Sequence, residues 1–252
     1  PYDQIMEIRS PKVSGMNAGI RILNNDGSES GACGNGMRCV TAYMHDLDGN
    51  THYDFMTRRG PLTADIADNG LITIDMGEPR LNWQDIPLSE EFHDTRMIEL
   101  QIGPIDAPVL HSPGVVNMGN PHAVFWVEKD VWSYELDRFG PLLENHPLFP
   151  ERANITIAQI IGDDRIAIRT WERGAGLTLA CGSASCATVV AAARKGLTGR
   201  NVTIIAPSGK ELVIEWADNN HVLMTGGTEF EFAGRLDPET GEFEREPAAI
   251  AD

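Results

Sequence analysis

A short sequence pattern occurs twice in this chain, and the repetition limits what the chain can fold into. Ala-Cys-Gly at residues 32–34 recurs at residues 180–182, 148 residues later. Ala-Asp-Asn-Gly at 67–70 and Ala-Asp-Asn-Asn at 217–220 lie 150 residues apart, in the same order. Self-similarity at a nearly fixed spacing is typical of a duplicated structural unit. We therefore predict two equivalent halves related by a pseudo-twofold axis.

Strand and turn patterns alternate through both halves, and each half contains one long helical run. Apolar stretches are separated by Gly, Asn and Asp turns, which is typical of strands. A Pro-free run follows each cysteine, and Gly196 ends the second run. We expect an α/β (α+β) fold in which each half is a curved, mostly antiparallel or mixed sheet wrapped around a central helix. Further strands are predicted at residues 97–102, 107–110 and 229–232.

The predicted divisions of the chain follow from the repeat and from a cluster of Gly and Pro near residues 103–114. They are 1–113 for an N-terminal half, 114–228 for a C-terminal half, 229–236 for a final strand that could return to the first half, and 237–252 for a disordered acidic tail.

Composition narrows the class of partner. The net charge is −17, with only 20 Lys and Arg residues. Nucleic acid or an anionic membrane would need a basic face, so neither is expected, and a small-molecule partner fits better. We find no apolar stretch of 18 residues and no signal-peptide pattern, which favours a cytoplasmic protein.

Cys33 and Cys181 each precede a glycine where a polar turn gives way to the helical run. This order places both at helix N-termini, where free backbone amides and the helix dipole stabilise negative charge. We expect the pKa of both thiols to fall below its usual value of about 8.5. Cys39 and Cys186 fall on other faces of the helices and are expected to be buried packing residues.

Two opposed cysteines predict a two-base reaction at a carbon acid. One thiolate would remove a proton from a stereocentre while the opposite thiol delivers a proton to the other face. The weakly acidic α-carbon of an amino acid would need amide donors at its carboxylate, which Gly34–Asn35 and Gly182–Ser183 could supply. No metal and no cofactor is expected, because the cysteine spacings do not suit zinc and no lysine lies in a recognisable pyridoxal phosphate site.

Other uses of the cysteines stay open at this point. Cys33 and Cys181 could form a structural disulfide, although a reducing compartment disfavours one. All four cysteines could hold zinc. A non-enzyme alternative is a binding or thiol redox-switch protein in which Cys33 and Cys181 pair reversibly.

Three stretches carry a resemblance to a known family: residues 20–39, the Gly-Asn-Pro-His-Ala sequence at 119–123, and residues 171–184. Together they resemble the diaminopimelate epimerase family. The resemblance implies two pseudo-symmetric α/β domains with the site in the cleft between them, no pyridoxal phosphate, and a homodimer. It also implies conversion of L,L- to meso-diaminopimelate in lysine and peptidoglycan precursor synthesis.

The resemblance assigns roles to positions of this sequence. Cys33 and Cys181 match the acid and the base, and His122 and Glu172 match groups proposed to pass protons to them. His122 could instead be a satisfied core histidine, and Arg173 a surface ion pair. The positions that match substrate-binding residues are Gln4, Asn24, Gly34, Asn35, Asn120, Asn154, Glu172, Arg173, Gly182 and Ser183.

This sequence differs from the family in one respect, and one other group of isomerases is an alternative interpretation. The family's N-terminal segment, with a Gly-Asn-Asp-Phe motif and a further substrate asparagine, is not in this sequence, so we expect that the sequence begins inside the natural protein. The rival is another isomerase of the superfamily, a proline or hydroxyproline racemase or a phenazine-synthesis isomerase. Such an enzyme would not share both the cysteine pair and the polar residues for the distal end of the substrate.

Overall fold

The two halves of the chain repeat one series of elements. The computed structural model describes residues 4–24, 27–31, 33–237 and 239–246. The first half contains β1 (Gln4–Arg9), β2 (Ala18–Asn24), β3 (Glu29–Ser30), α1 (Gly34–Asp48), β4 (His52–Thr57), β5 (Gly60–Ile66) and β6 (Ile72–Asp75). A connector with the short strands β7 (Gln101–Ile102) and β8 (Leu110–His111) leads to β9 (Gly114–Asn117), β10 (Pro121–Trp126) and α2 (Leu136–Glu144). The repeated series then follows as β11 (Asn154–Gly162), β12 (Arg165–Glu172), β13 (Gly176–Thr178), α3 (Gly182–Lys195), β14 (Asn201–Ile205), β15 (Glu211–Trp216) and β16 (Val222–Gly226).

One mixed sheet runs through both halves, and its strand order is symmetric about its middle. The order is β1-β2-β4-β5-β6-β16-β15-β14-β12-β11, followed by β10 and β9. β6 and β16 pair antiparallel at the centre. β2 with β4 and β12 with β14 are parallel pairs, and the helices α1 and α3 provide the crossovers that such pairs need. The structure therefore confirms a mixed α+β fold with a large sheet and few helices.

The repeated tetrapeptides form equivalent hairpin turns. Between β5 and β6, the Gly70 amide donates to the Ala67 carbonyl, and between β15 and β16 the Asn220 amide donates to the Ala217 carbonyl. Gly70 has a φ of 78° and Asn220 a φ of 70°. Glycine and asparagine are the residues that adopt this left-handed conformation most readily. The repeated Ala-Asp-Asn motif therefore marks equivalent hairpin turns in the two halves.

Both central helices lie in one hydrophobic core. The core contains residues of both halves, among them Met37 and Val40 of α1 and Val189 and Val190 of α3. α3 is buried along Ala184–Ala192, which suits its run of small residues. A second core packs α2 and the connector against β10 and β11. Residues of the connector thus pack with the second half, and the predicted division at residue 113 stays a prediction.

Two of the strand predictions are wrong in the connector. Of residues 97–102 and 107–110, only Gln101–Ile102 and Leu110 belong to strands, and these form an isolated two-stranded pair with His111. The other residues of these two stretches are bends or irregular segments, and Gly103, with a φ of 107°, and Pro104 lie between the stretches. Ile98, Leu100 and Leu110 of this segment are nevertheless buried, whereas Met97, Ile105 and Val109 are exposed.

The C-terminal strand also differs from the prediction. Residues 229–232 form no strand, and the strand instead comprises Gly234–Leu236, named β17, paired with Phe243–Arg245, named β18. The Asp237 carboxylate caps the turn between them by accepting from the Glu239 and Thr240 amides. The disorder predicted for 237–252 stays a prediction, and 238 and 247–252 lie outside the described residues. Among the described residues, no helix combines the length and apolarity needed to cross a membrane.

Candidate active site

Cys33 and Cys181 are the N-cap residues of α1 and α3, as the sequence predicted. The Gly36 amide donates to the Cys33 sulfur at 3.3 Å. The Cys181 sulfur lies 3.5 Å from the Ser183 hydroxyl oxygen. All four cysteines are free thiols.

The starts of the two helices converge on one side chain. Met224 of β16 lies against both Gly34 and Gly182, the residues that directly follow the two cysteines. A Cβ atom on Gly34 would overlap the Met224 methyl group, and one on Gly182 would lie 2.9 Å from its sulfur. A Cβ on Gly182 would also lie 3.5 Å from Oδ1 of Asn35. The absence of side chains at these two glycines therefore permits the close approach of the helix ends.

The predicted depression of the thiol pKa values is wrong. Burial raises the pKa of Cys33, and it raises the pKa of Cys181 well above the usual thiol value. Backbone donors at the helix ends act in the opposite direction but do not compensate for the loss of hydration. The Glu172 carboxylate raises the pKa of both thiols further. Both sulfurs therefore lie within the electrostatic influence of one carboxylate, and the neutral thiol is the dominant form of each at neutral pH.

Glu172 ends β12, and Arg173 begins the turn that leads to β13. The Arg173 amide donates to Oδ1 of Asn154 at 3.0 Å, and its Nη1 donates to the Glu151 carbonyl at 2.9 Å. Arg173 thus makes no ion pair within the described residues, in contrast to the surface alternative. These two hydrogen bonds hold the turn against Asn154, the first residue of β11, and against Glu151, which precedes β11.

Glu144, a residue that the sequence did not single out, holds this turn in place. It is 5% exposed and accepts hydrogen bonds from Trp171 Nε1 at 2.7 Å and from the Gly174 amide at 2.9 Å. Arg152 also pairs with it at 3.2 Å. The only sequence signal is a carboxylate at the end of the apolar run of α2. A buried carboxylate with three donors positions the Glu172–Gly176 turn strongly.

Four of the predicted substrate-binding residues form two equivalent pairs. Gln4 begins β1 and donates from Nε2 to Oδ1 of Asn24, at the end of β2, at 2.8 Å. In the second half Asn154 begins β11 and Glu172 ends β12. Each pair thus occupies the same place, at the end of an antiparallel ribbon that leads into a cysteine-capped helix.

Asn120 lies in the loop before β10, and His122 lies in β10, the strand next to β11. His122 is fully buried and pairs across the sheet with Asn154. Its Nε2 lies 2.9 Å from Asn120 Oδ1, whereas its Nδ1 has no hydrogen-bond partner among the described residues. Burial, assisted by the positive charge of Arg173, lowers the pKa of His122 to about 3. The imidazole is therefore neutral, with one ring nitrogen unpaired.

The loop that carries Asn120 is held by Arg59, a residue of the first half that the sequence did not single out. Arg59, in the turn between β4 and β5, donates from Nη1 to the Met118 carbonyl at 2.6 Å. Gly119 lies directly against the guanidinium, so a Cβ there would be 2.5 Å from Nη1. Asn117 also caps the loop by accepting from the Gly119 amide. The Asn120 loop is thus fixed by contacts from both halves.

A cavity of about 270 Å³ opens beside Cys33. Its wall is mainly apolar, and Arg59 and the hydrogen-bonded pair Asp75 and His221, with an N–O distance of 2.7 Å, also line it. Cys181 does not line this cavity, although both thiols are near Glu172. We therefore take the meeting of the helix ends, and not the cavity, as the centre of the candidate site. The described residues contain no cluster of His, Cys, Asp and Glu arranged to hold a metal ion.

The chain matches the family model described as diaminopimelate epimerase over residues 4–82 and 114–231. This chain belongs to the diaminopimelate epimerase family. The family resemblance inferred from the sequence is thus confirmed. The unmatched residues between the two segments coincide with the connector that carries β7 and β8.

Named relatives in the family are similar along nearly the whole chain. The diaminopimelate epimerase of Mesorhizobium japonicum is 59% identical over 250 residues, which are 99% of this chain and 85% of the relative. That of Chelativorans sp. is 60% identical over 250 residues, with the same shares. A solved hydroxyproline epimerase from Agrobacterium vitis superposes with a TM-score of 0.61 at 16% identity, covering 89% of this chain and 71% of that one. At that identity the likeness shows the shared fold alone.

Proposed function

We propose that this protein converts L,L-diaminopimelate to meso-diaminopimelate by inverting one α-carbon, without a cofactor. Two relatives named diaminopimelate epimerase, 59% and 60% identical, support the substrate. The observation that carries the chemistry is the meeting of two cysteine-capped helix N-termini, with Glu172 acting on both thiols. The reaction would serve lysine and peptidoglycan precursor synthesis.

The proposed mechanism uses the two cysteines as one base and one acid. One thiolate takes the α-proton and becomes a thiol, leaving a carbanion; the opposite thiol gives its proton to the other face and becomes a thiolate. Protons and charge therefore balance over the turnover. A thiolate that is poorly solvated is a stronger base, which suits removal of a proton from a weak carbon acid. The raised thiol pKa values thus favour this chemistry once the thiolate has formed.

Formation of that thiolate needs a proton acceptor near the sulfurs. Glu172 acts on both thiols, and the neutral His122 has an unpaired ring nitrogen. We assign Glu172 to this acceptor role. His122 keeps its place from the family resemblance as a second proton-transfer candidate, although a pKa of about 3 makes its buried imidazole a weak base in this structure.

The two helix starts are assigned to the substrate's α-carboxylate. The backbone amides of Gly34, Asn35, Gly182 and Ser183 belong to the first turns of α1 and α3, where amide donors are free. The charged distal end of the substrate would meet the side chains that follow from the family assignment: Gln4, Asn24, Asn120, Asn154, Glu172 and Arg173. Their amides, carboxylate and guanidinium complement an ammonium and a carboxylate group.

Proton exchange in deuterated water tests the proposal. The unaltered protein should incorporate deuterium at the α-carbon of diaminopimelate while converting one stereoisomer to the other. Cys33→Ala and Cys181→Ala should each lower the rate of inversion by about 10²–10⁴-fold, because each removes one of the two proton-transfer groups. Cys39→Ala is the control, since Cys39 is exposed.

Two results would contradict the proposal. Inversion that persists in Cys181→Ala would remove the second base. Exchange into proline or hydroxyproline, but not into diaminopimelate, would favour the rival isomerases.

Compartment and assembly are further proposals. The mechanism requires Cys33 and Cys181 as free thiols, so we place the protein in the reducing cytoplasm. Oxidation to a Cys33–Cys181 disulfide should abolish activity. The homodimer is proposed from the family resemblance, and sedimentation velocity would test it.

A further inference from the structure

We propose that Arg38 is a positioning residue for this site: its guanidinium holds Asn35 against the start of α3 and supplies a fixed positive charge within the helix that Cys33 caps. The proposal rests on the proposed function for its kinetic consequences. It concerns a residue one turn into α1, beyond the amides assigned to the substrate.

Arg38 is buried with fewer partners than a guanidinium needs. It is 7% exposed, and Nη2 donates to Oδ1 of Asn35 at 3.0 Å. Nε and Nη1 have no hydrogen-bond partner among the described residues. A buried cation with unpaired donors costs stability. The position of Arg38 therefore calls for an anionic partner that is formed only during the reaction.

Contacts connect Arg38 to both helix starts. Asn35 Oδ1, which accepts from Arg38, lies 3.5 Å from the position that a Cβ on Gly182 would occupy. On the opposite side, Gly226 of β16 lies against the guanidinium, with 3.4 Å from its Cβ position to Nε. Arg38 is thus confined between α1 and β16. Its only hydrogen bond within the described residues fixes the Asn35 side chain where α1 meets α3.

Three cysteine thiols influence the charge of the Arg38 guanidinium. Cys33 and Cys39 of α1 and Cys186 of α3 all act electrostatically on the guanidinium. Arg59 also acts on Cys186, and Glu172 acts on Cys33 with the opposite sign to Arg38. Burial lowers the pKa of Arg38, but a guanidinium stays charged in proteins. Arg38 therefore opposes the effects of burial and of Glu172 at Cys33.

Three variants separate charge, geometry and simple stability. Arg38→Met removes the charge at similar volume, and Arg38→Lys keeps the charge but loses the planar fork. Arg194→Met is the matched control. Arg194, in the last turn of α3, is half-buried, donates to Thr95 and, like Arg38, has an unpaired Nη1.

The first measurement does not depend on activity. The rate at which iodoacetamide alkylates Cys33, followed by mass spectrometry against pH, reports the apparent pKa of that thiol. We expect Arg38→Met to raise it, because the variant removes a positive charge that favours the thiolate, and Arg38→Lys and Arg194→Met to leave it close to that of the unaltered protein. An Arg38→Met variant that loses thermal stability as Arg194→Met does, with the Cys33 titration unchanged, would overturn the proposed charge effect.

The second measurement is diaminopimelate inversion. Arg38→Met should lower kcat at neutral pH, with partial recovery at higher pH, because a higher thiol pKa lowers the fraction of Cys33 present as thiolate. Arg38→Lys should retain most of kcat and raise KM several-fold, because Asn35 is no longer held. An unchanged KM in Arg38→Lys would overturn the positioning of Asn35.

The two proposals can fail separately. A shift of the Cys33 titration in Arg38→Met without any turnover by the unaltered protein would sustain the effect of Arg38 on Cys33 and refute the proposed function. If Arg38→Met does not fold, the KM of Arg38→Lys decides the positioning role.

Discussion

A position at a helix N-terminus stabilises the thiolate form of a cysteine, whereas burial in the core destabilises that form. Cys33 and Cys181 are both N-cap residues, yet burial dominates and raises the pKa of each. A sequence pattern locates a helix start because capping is local. Hydration is lost through packing by distant segments, so the sign of the pKa shift could not be inferred from the motif.

The two remaining cysteines differ in burial, although both were predicted to be buried. Cys186 is fully buried in the shared core, whereas Cys39 is exposed on α1. We expect Cys186→Ala to lower the free energy of unfolding by roughly 1–2 kcal/mol through lost packing, and Cys39→Ala to change it by less than about 0.5 kcal/mol. Urea denaturation of both variants measures the difference. Equal effects at the two positions would contradict the structure.

His122 should make stability depend on pH. Its folded-state pKa is about 3, below the value of about 6.5 expected in the unfolded chain. Between these values the unfolded state binds more protons. The contribution of His122 to the free energy of unfolding is therefore complete above about pH 6.5 and is lost as the pH falls toward 3.

The matching experiment compares His122→Gln with the unaltered protein. The loss of unfolding free energy between pH 7 and pH 5 should be smaller in the variant by roughly 2 kcal/mol. His93→Gln is the control, because the His93 side chain is 93% exposed. Parallel stability curves for His122→Gln and the unaltered protein would argue against a buried neutral imidazole.

At the scale of elements, α2 supports the strand that ends in Glu172. Gly140 of α2 lies against the Trp171 ring of β12, and a Cβ on Gly140 would be 2.5 Å from ring atoms. The same Trp171 donates to Glu144 at the end of α2. The helix thus fixes β12 from outside the candidate site.

Gly140→Ala should therefore destabilise the protein and impair the site. The aromatic ring is rigid, so the added methyl group should displace α2 or β12 at a cost of roughly 1–3 kcal/mol. Displacement of Glu172 should also lower kcat for inversion. Gly199→Ala is the matched control, since nothing lies within 4 Å of its Cβ position and its φ is not positive. Thermal unfolding and steady-state kinetics of the two variants provide the measurement, and similar behaviour of both would refute this role of α2.

At the scale of the molecule, the halves share one core and one sheet. β6 and β16 pair at the centre, and the Thr73 and Thr225 hydroxyls hydrogen bond across this junction at 2.8 Å. Asp75 and His221 pair across it as well. A disturbance in one half should therefore be transmitted to the other.

Hydrogen exchange can measure this coupling. Val40→Ala removes a buried side chain of α1 and should cost roughly 1–3 kcal/mol. We expect α3 amides to lose protection to the same extent as α1 amides, because exchange of both helices requires opening of the shared core. Val213→Ala, at a partly exposed position, is the control. Loss of protection confined to α1 would show that the halves unfold independently.

The sequence alone determined those features of this protein that depend on neighbouring residues. The repeated Ala-Cys-Gly and Ala-Asp-Asn patterns identified the two helix starts and the matching turns, because capping and left-handed turn residues act within a few positions. The flanking motifs also identified the family. Only the tertiary structure showed that Met224 contacts both helix starts, that Glu144 and Arg59 hold the site's loops, and that Arg38 lies buried with Asn35 as its hydrogen-bond partner. Those features arise when segments far apart in the chain come into contact and exclude water, and such contacts leave no local pattern in the sequence.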